Sequence, residues 1–240
     1  MTSKRPAEDK CDEGAPLKKA KLSWQDLDAE RKQLTRVTCV PLAEVWHASH
    51  LFPPSQLEEW LVALRAQVTE LFKPTYVTVF NNTYEERRRV LGFGDQCLIY
   101  NYSGRRVKPT PWEAAPIMDE LRQAVFAQVE KVLPGVGLPN FCLLNWYRDG
   151  TDKLGAHSDD ETDLVNDKPI VSFSLGSGRR FVFHDKPKGR KVGEVMLNAG
   201  ALVIMGQNCQ KQYKHSVPEM KKVKGDRWSL TFRWIVEPII

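Results

Sequence analysis

The sequence has no C-x-x-C pair, no apolar run of bilayer length and no charged-then-apolar leader, and each absence removes a class of protein. Its five cysteines, Cys11, Cys39, Cys97, Cys142 and Cys209, are an odd and scattered set. They suit neither a disulfide framework nor a cysteine zinc site, so reduced thiols in an intracellular protein are expected. Apolar stretches such as Ala201 to Met205 fall far short of the roughly 20 residues that span a bilayer. A soluble, non-secreted chain follows as the expectation. The charge balance is mild too: a formal +5 permits attraction to a polyanion without requiring it. What is present, 240 residues of which 42% are hydrophobic and 27% charged, fits one substantial core with a tail rather than two full domains.

The tail is residues 1–22, rich in Lys, Glu, Asp, Pro and Ala and poor in large apolar side chains, so ordering it has nothing to offset its entropy. Lys4-Arg5 and Lys18-Lys19-Ala20-Lys21 within it have the two-cluster layout of a nuclear-import signal, which a merely solvated basic tail would also show. The globular domain is expected over residues 35–240. Ser55 and Glu58 form a capping-box pattern ahead of Leu57, Trp60, Leu61, Leu64, Val68 and Leu71, which predicts a helix ending before Pro74. Met118, Leu121, Val125, Val129 and Val132 predict a second, stopped by Pro134-Gly135. From Phe141 onward the texture changes to short β-prone runs, at 141–147, 170–175, 180–183, 192–197, 201–205, 213–217 and 227–236. Helices first and a double sheet afterwards predict an α+β fold: a jelly-roll core with N-terminal supporting helices.

The last run carries the most information. Trp228, Leu230, Phe232, Trp234 and Val236 share one face, and Arg227, Ser229, Thr231 and Arg233 share the other. Either that second face is solvated, or it lies inside the sandwich, where the arginines need buried anionic partners such as a ligand carboxylate. Asn145 and Tyr147 likewise share a face, opposite Trp146. Beyond a turn at Gly150 to Gly155, His157 and Asp159 sit two residues apart on an extended segment, which is chelating spacing. His215 is placed to complete a two-histidine, one-carboxylate set. Such a set leaves adjacent positions open on Fe(II) for a bidentate 2-oxo acid and dioxygen, whereas zinc more often takes a third His or Cys. A lone His-x-Asp also arises without any metal. His47, His50 and His184 have no partner at chelating spacing.

Taken in order, five segments resemble the motifs of the AlkB-type Fe(II)/2-oxoglutarate-dependent dioxygenases. They are Asn145-Trp146-Tyr147-Arg148-Asp149-Gly150, His157-Ser158-Asp159-Asp160-Glu161, Ser172-Phe173-Ser174-Leu175-Gly176, His215, and Arg227 through Arg233. The likeness runs from about Val79 to Arg233. Gly94-Asp95, Leu98, Tyr100, Tyr102, Ser103 and Gly104 resemble the homologue-two DNA-repair subfamily most.

The resemblance implies that His157, Asp159 and His215 ligate Fe(II). It implies that Arg227 pairs with the distal carboxylate of 2-oxoglutarate while Asn145, Tyr147, Ser229, Thr231 and Arg233 complete the cradle. Ser229 stands where the family usually has Asn. The implied reaction consumes O2 and 2-oxoglutarate and strips alkyl groups from N1-methyladenine and N3-methylcytosine, releasing succinate, CO2 and formaldehyde. Val79-Phe80-Asn81 aligns with a hairpin whose apolar residue fills the gap left by an extruded base, so Phe80 is the candidate wedge. Tyr100 and Tyr102 are expected near the base, and Asp160 and Glu161 at the pocket mouth, where an acid would accept from an exocyclic amino group. Arg87-Arg88-Arg89, Arg179-Arg180, Lys186 to Lys191 and Lys221 to Lys224 are expected phosphate contacts, although charge runs are more often solvated faces. The expected partners are duplex DNA and a nuclear-import receptor, with no membrane and the chain as a monomer. Competing readings are single-stranded DNA or RNA as substrate, a nucleic-acid-binding module with an inactive metal site, and hydroxylation of proteins or small molecules.

Overall fold

The structure is a computed structural model in which residues 33–74, 76–79, 81–102 and 105–237 are described. The expected tail with both basic clusters lies outside them, as do Cys11, Phe80, Ser103 and Gly104. Eight short strands come first: β1 (Thr35–Arg36), β2 (Val45–Ala48), β3 (Tyr76–Val79), β4 (Asn82–Glu85), β5 (Arg89–Gly94), β6 (Tyr100–Tyr102), β7 (Arg105–Val107) and β8 (Thr110–Pro111). Eight more follow: β9 (Phe141–Tyr147), β10 (Leu154–His157), β11 (Ile170–Gly176), β12 (Arg179–Asp185), β13 (Lys191–Leu197), β14 (Leu202–Met205), β15 (Tyr213–Val217) and β16 (Arg227–Arg233). They form a large sheet in the order β1-β2-β14-β11-β16-β9-β5-β8 and a small one in the order β10-β15-β12-β13, with β3–β4 and β6–β7 as separate hairpins. The second group of eight makes the jelly roll, antiparallel at every pairing.

Strand parity divides the large sheet's two faces. Trp228, Leu230 and Phe232 of β16 join Phe173 and Leu175 of β11 in a cluster with the helices α1 (Pro54–Val68) and α2 (Pro116–Val129). Trp60 of α1 meets Phe173 edge-on at 6.3 Å, and Phe126 of α2 meets Phe232 at 5.4 Å. Burial of each such side chain is worth about 1.5–3 kcal/mol, enough to fix the helices as a rigid backing. The opposite face of the large sheet shares a second core with the small sheet, in which Tyr147, Ile170, Phe181, Phe183, Val203 and Val217 are buried together. The polar residues of β9 and β16 open into this inter-sheet space.

The elements depart from expectation at their ends. Helix α1 starts at Pro54 with no side-chain cap, so Ser55 and Glu58 both lie inside the helix and form no capping box. Proline at the first helical position presets φ and lacks the N–H that a cap would serve. The pattern residues Leu71 and Val132 fall just beyond their helices, Leu71 in a short 3₁₀ turn. The last strand stops at Arg233 because its partner β9 begins opposite, at Phe141. Val236 is accordingly exposed. Gly155 lies within β10 rather than in the turn before it. The four described cysteines are free, and no described helix is long and apolar enough to cross a membrane.

Gly150 is required where it stands. A Cβ there would lie 1.9 Å from the Met220 carbonyl oxygen and 2.7 Å from that of Val223, in a segment hydrogen-bonded to Gly150 through both its N–H and its C=O. Gly150→Ala is expected to cost about 2–4 kcal/mol, or roughly 5–15 °C in melting temperature. Gly155→Ala, whose Cβ would meet nothing within 4 Å, should leave melting unchanged within about 0.5 kcal/mol, as read by calorimetry.

Candidate active site

Antiparallel register sets the inward row. Arg227 lies opposite Tyr147 and Ser229 opposite Asn145 on β9, while on its other side Ser229 faces Ser174 and Thr231 faces Ser172 of β11. Asn145, Tyr147, Ser172, Arg227, Ser229, Thr231 and Arg233 all border one inter-sheet cavity with His157, Asp159 and His215. Of the two alternatives open for the arginine face, the interior is the one realised, and both arginines are buried.

The small sheet supplies the histidines. His157 ends β10 directly opposite His215 on β15, with ring centroids 4.3 Å apart. Asp159 follows just beyond the strand, its backbone N–H donating to Gln210 Oε1 at 3.0 Å and its neighbour Ser158 donating to the Tyr213 carbonyl at 3.0 Å. One ligand atom from each of the three residues lies within 4.8 Å of the others. His157 Nε2 is 3.5 Å from Asp159 Oδ1, and His215 Nε2 is 3.6 Å from Asp159 Oδ2. His157 Nδ1 donates to the Gly155 carbonyl at 2.9 Å, which fixes the tautomer and leaves Nε2 free to ligate.

Charge states follow from the surroundings. Burial alone would raise the Asp159 carboxyl, but Arg233, whose Nη2 donates to Oδ1 at 2.8 Å, outweighs it with help from both imidazoles and holds the group ionised. Burial pushes His215 down to about 4, so its imidazole is neutral at physiological pH. For His157 burial also disfavours the charged form, yet the Asp159 carboxylate prevails and raises its pKa. A buried carboxylate between two imidazoles is a donor set suited to a divalent ion. Asp159 Oδ2, buried and without a hydrogen-bond donor among the described residues, points to the same conclusion.

Arg227 poses a complementary demand. Its Nη2 donates to Ser174 Oγ at 2.9 Å and Ser229 Oγ at 3.1 Å, while Nε and Nη1 are buried with no acceptor at hydrogen-bonding geometry among the described residues. Tyr147 lies against the guanidinium at 5.1 Å. An unneutralised guanidinium in the interior calls for a carboxylate, and a 2-oxo diacid that chelates the metal at one end carries one at the other. The Ser229 hydroxyl also meets Ser172 Oγ at 3.2 Å.

The expected nucleic-acid contacts are distributed unevenly. Tyr100 is wholly buried against Phe141, with the Arg233 guanidinium 5.3 Å above its ring. The side chains of Val79 and Tyr102 lie outside the described part. Asn81 is exposed at the tip of the β3–β4 hairpin with φ of 63°, and Asp160 and Glu161 border a second cavity of about 520 Å³ that also reaches Asp159 and Arg233. Several arginines of two expected phosphate-binding runs pair within the chain. Arg87 pairs with Asp149 and Asp152, Arg88 donates to Asn145, and Arg89 pairs with Glu85. Arg179 is buried and donates to the carbonyls of Asp149, Asp152 and Pro218, tying the β9–β10 turn to the end of β15. His47, His50 and His184 bond to Met196 O, Ala199 O and Ser216 Oγ.

Sequence reasoning missed Asp226, which accepts from Trp146, Trp228 and Arg65 and so anchors the start of β16 to β9 and α1. Its position beside Arg227 was the only signal available.

Residues 44–233 match the family model described as 2OG-Fe(II) oxygenase superfamily. The chain belongs to that superfamily. Fe(II) and 2-oxoglutarate are the cofactor and co-substrate of this oxygenase family, and the donor set and the Arg227 cradle fit both. The oxygenase is similar to the DNA oxidative demethylase ALKBH2 of Homo sapiens, 35% identical over 167 residues that make up 67% of this chain and 61% of that protein. It is also similar to the alpha-ketoglutarate-dependent dioxygenase alkB homolog 3 of Mus musculus, 30% identical over 64% of this chain and 53% of that one. The chain thus spans about three-fifths of the ALKBH2 relative's length. Among solved structures, "The structure of OsALKBH1" covers 84% of this chain at a TM-score of 0.52 and 20% identity, which bears on the fold alone.

Arg227→Met is expected to weaken 2-oxoglutarate binding to the Mn(II)-loaded protein by about tenfold or more, the usual loss when a charge-assisted hydrogen-bond partner goes. Mn(II) affinity should be unchanged, whereas His215→Ala should abolish it; titration calorimetry reads both.

Proposed function

We propose that this oxygenase removes alkyl groups oxidatively from N1-methyladenine and N3-methylcytosine in double-stranded DNA, in the nucleus. The observation that carries the reading is the placement of Asp159 and Arg233, which border both the Arg227 cradle and the cavity of about 520 Å³ with Asp160 and Glu161 on its wall. Likeness to DNA oxidative demethylases over 67% of the chain supports the substrate class. When bound, Fe(II) with 2-oxoglutarate and O2 supplies the oxidation, one oxygen atom leaving in succinate beside CO2 and the other converting the N-alkyl carbon to an aldehyde.

The chain's own residues divide the remaining work. Arg227, with Ser174, Ser229 and Tyr147 around it, holds the distal carboxylate, and the buried serines keep that end dry. Arg233 keeps Asp159 ionised and oriented, while His157 and His215 stand ready on β10 and β15. An adenine or cytosine alkylated on its pairing edge is cationic, and Asp160 and Glu161 favour that charge and offer acceptors for the exocyclic amino group. Such a lesion has lost its pairing, so extruding it costs only a few kcal/mol, and an aromatic stacked in its place returns about 1–3 kcal/mol. Phe80, which precedes Asn81 in the sequence, is assigned as that aromatic, and Lys4-Arg5 with Lys18 to Lys21 as the import signal.

The test is protein reconstituted anaerobically with Fe(II) and 2-oxoglutarate and then exposed to air with matched single- and double-stranded oligonucleotides containing N1-methyladenine. Repair of both with equimolar succinate, and none by His157→Ala, is expected. Phe80→Ala should lower repair of the duplex by about tenfold, the worth of one stacked aromatic, and leave the single strand nearly unchanged. Succinate formation without base repair would overturn the substrate class, and repair of the single strand only would overturn the duplex assignment.

A further inference from the structure

Asp160 does not wait unpaired at the cavity mouth. Lys186 Nζ lies 3.1 Å from its Oδ2, and the lysine, with 29% of its side chain exposed, is better shielded than the aspartate at 64%. Lys186 opens the tight β12–β13 turn, and the surroundings hold its backbone. Its own N–H donates to the Gln212 carbonyl at 3.1 Å, and Asp185 beside it is bonded across the turn to Arg190 and Gly189. Lys188 and Arg190 of the same turn are exposed. The ammonium thus stands between a base-reading carboxylate and the basic tip of a surface turn.

We propose that Lys186 is a specificity-determining residue that makes base recognition conditional on an attached phosphate backbone, an inference that rests on the nucleic-acid reading above. In the free protein Lys186 occupies the acceptor that the base's amino group needs. An ion pair this accessible to water is weak and exchanges readily. A backbone phosphate drawn to the turn gives the ammonium a partner of equal charge, and the exchange releases Asp160 to the base. A free nucleoside brings no phosphate, so it must displace Lys186 unaided and is discriminated against.

Lys186→Met separates this role from its rivals through opposite signs. With 1-methyl-2′-deoxyadenosine as nucleoside and a short methylated single-stranded oligonucleotide compared at one ionic strength, the variant should raise kcat/KM on the nucleoside by about two- to fivefold, the scale of an exposed ion pair. On the oligonucleotide it should lower kcat/KM by a similar factor. A parallel fall on both substrates, or an unchanged nucleoside rate in Lys186→Met, would overturn the gate while leaving the demethylase reading intact. No oligonucleotide repair by the parent protein would overturn both. Lys186→Gln, with its melting temperature and Mn(II) affinity measured beside the parent's, repeats the comparison should the Met variant lose its fold.

Discussion

The pairing of Arg233 with Asp159, at 2.8 Å and almost entirely out of water, is the interaction on which the site depends. Desolvating either charge alone would cost several kcal/mol, and removing one partner of such a pair typically costs about 3–5 kcal/mol. Neither side chain therefore has a cheap alternative position. The constraint propagates outward. Asp159 must remain where β10 delivers it, which holds His157 against His215, and Arg233 must remain in the inward row of β16, which fixes the register of Thr231, Ser229 and Arg227 behind it. A two-residue slip along β16 would bury nothing less, but it would leave two charges without partners.

That row is held from behind as well. Trp146 and Trp228 stack at 5.0 Å on the helix side of the sheet, and both donate to Asp226, which also binds Arg65 of α1. The residues next to Tyr147 and Arg227 are thus anchored in the apolar backing while Tyr147 and Arg227 themselves face the cavity. On the small sheet Arg179 does comparable work with three carbonyl acceptors, two of them in the β9–β10 turn that leads to His157. Rigid strands carry Arg227 with its neighbours and two of the three side chains that could hold a metal. The residues expected to meet the substrate lie on turns and hairpins, a division that lets recognition vary without disturbing the metal centre.

Much of the centre was legible because strand geometry is periodic. Alternation over residues 227–233 already grouped Arg227, Ser229, Thr231 and Arg233, and the same parity grouped Asn145 with Tyr147. Parity does not say which side is the interior, and His215, 56 positions after Asp159 in the chain, becomes a neighbour only when β15 pairs with β10. Short strands such as β1, β2 and β8 are invisible to periodicity because two to four residues complete no pattern. The α1 start misled for a different reason: Ser55 and Glu58 have capping spacing, but the adjacent Pro53 and Pro54 determine where the helix begins.

The arginine runs show what sequence cannot separate, a charge held within the fold from one left to a partner. A guanidinium offers five donors in a planar fork, so once folding brings a carboxylate or several carbonyls within reach it becomes a structural clamp, as Arg87 and Arg179 do here. Lysine, a strongly hydrated point charge on a flexible stem, forms looser pairs at the surface. Among the described residues, the exposed cations of the remaining basic runs include Lys188 and Arg190 in the β12–β13 turn and Lys222 and Lys224 in the loop before β16. A backbone held by such residues is bound through charge rather than fixed geometry, and its affinity falls with salt. On the proposed function, such a backbone can shift along the surface until a lesion reaches the cavity beside Asp160, while fixed geometry is confined to the buried arginines below.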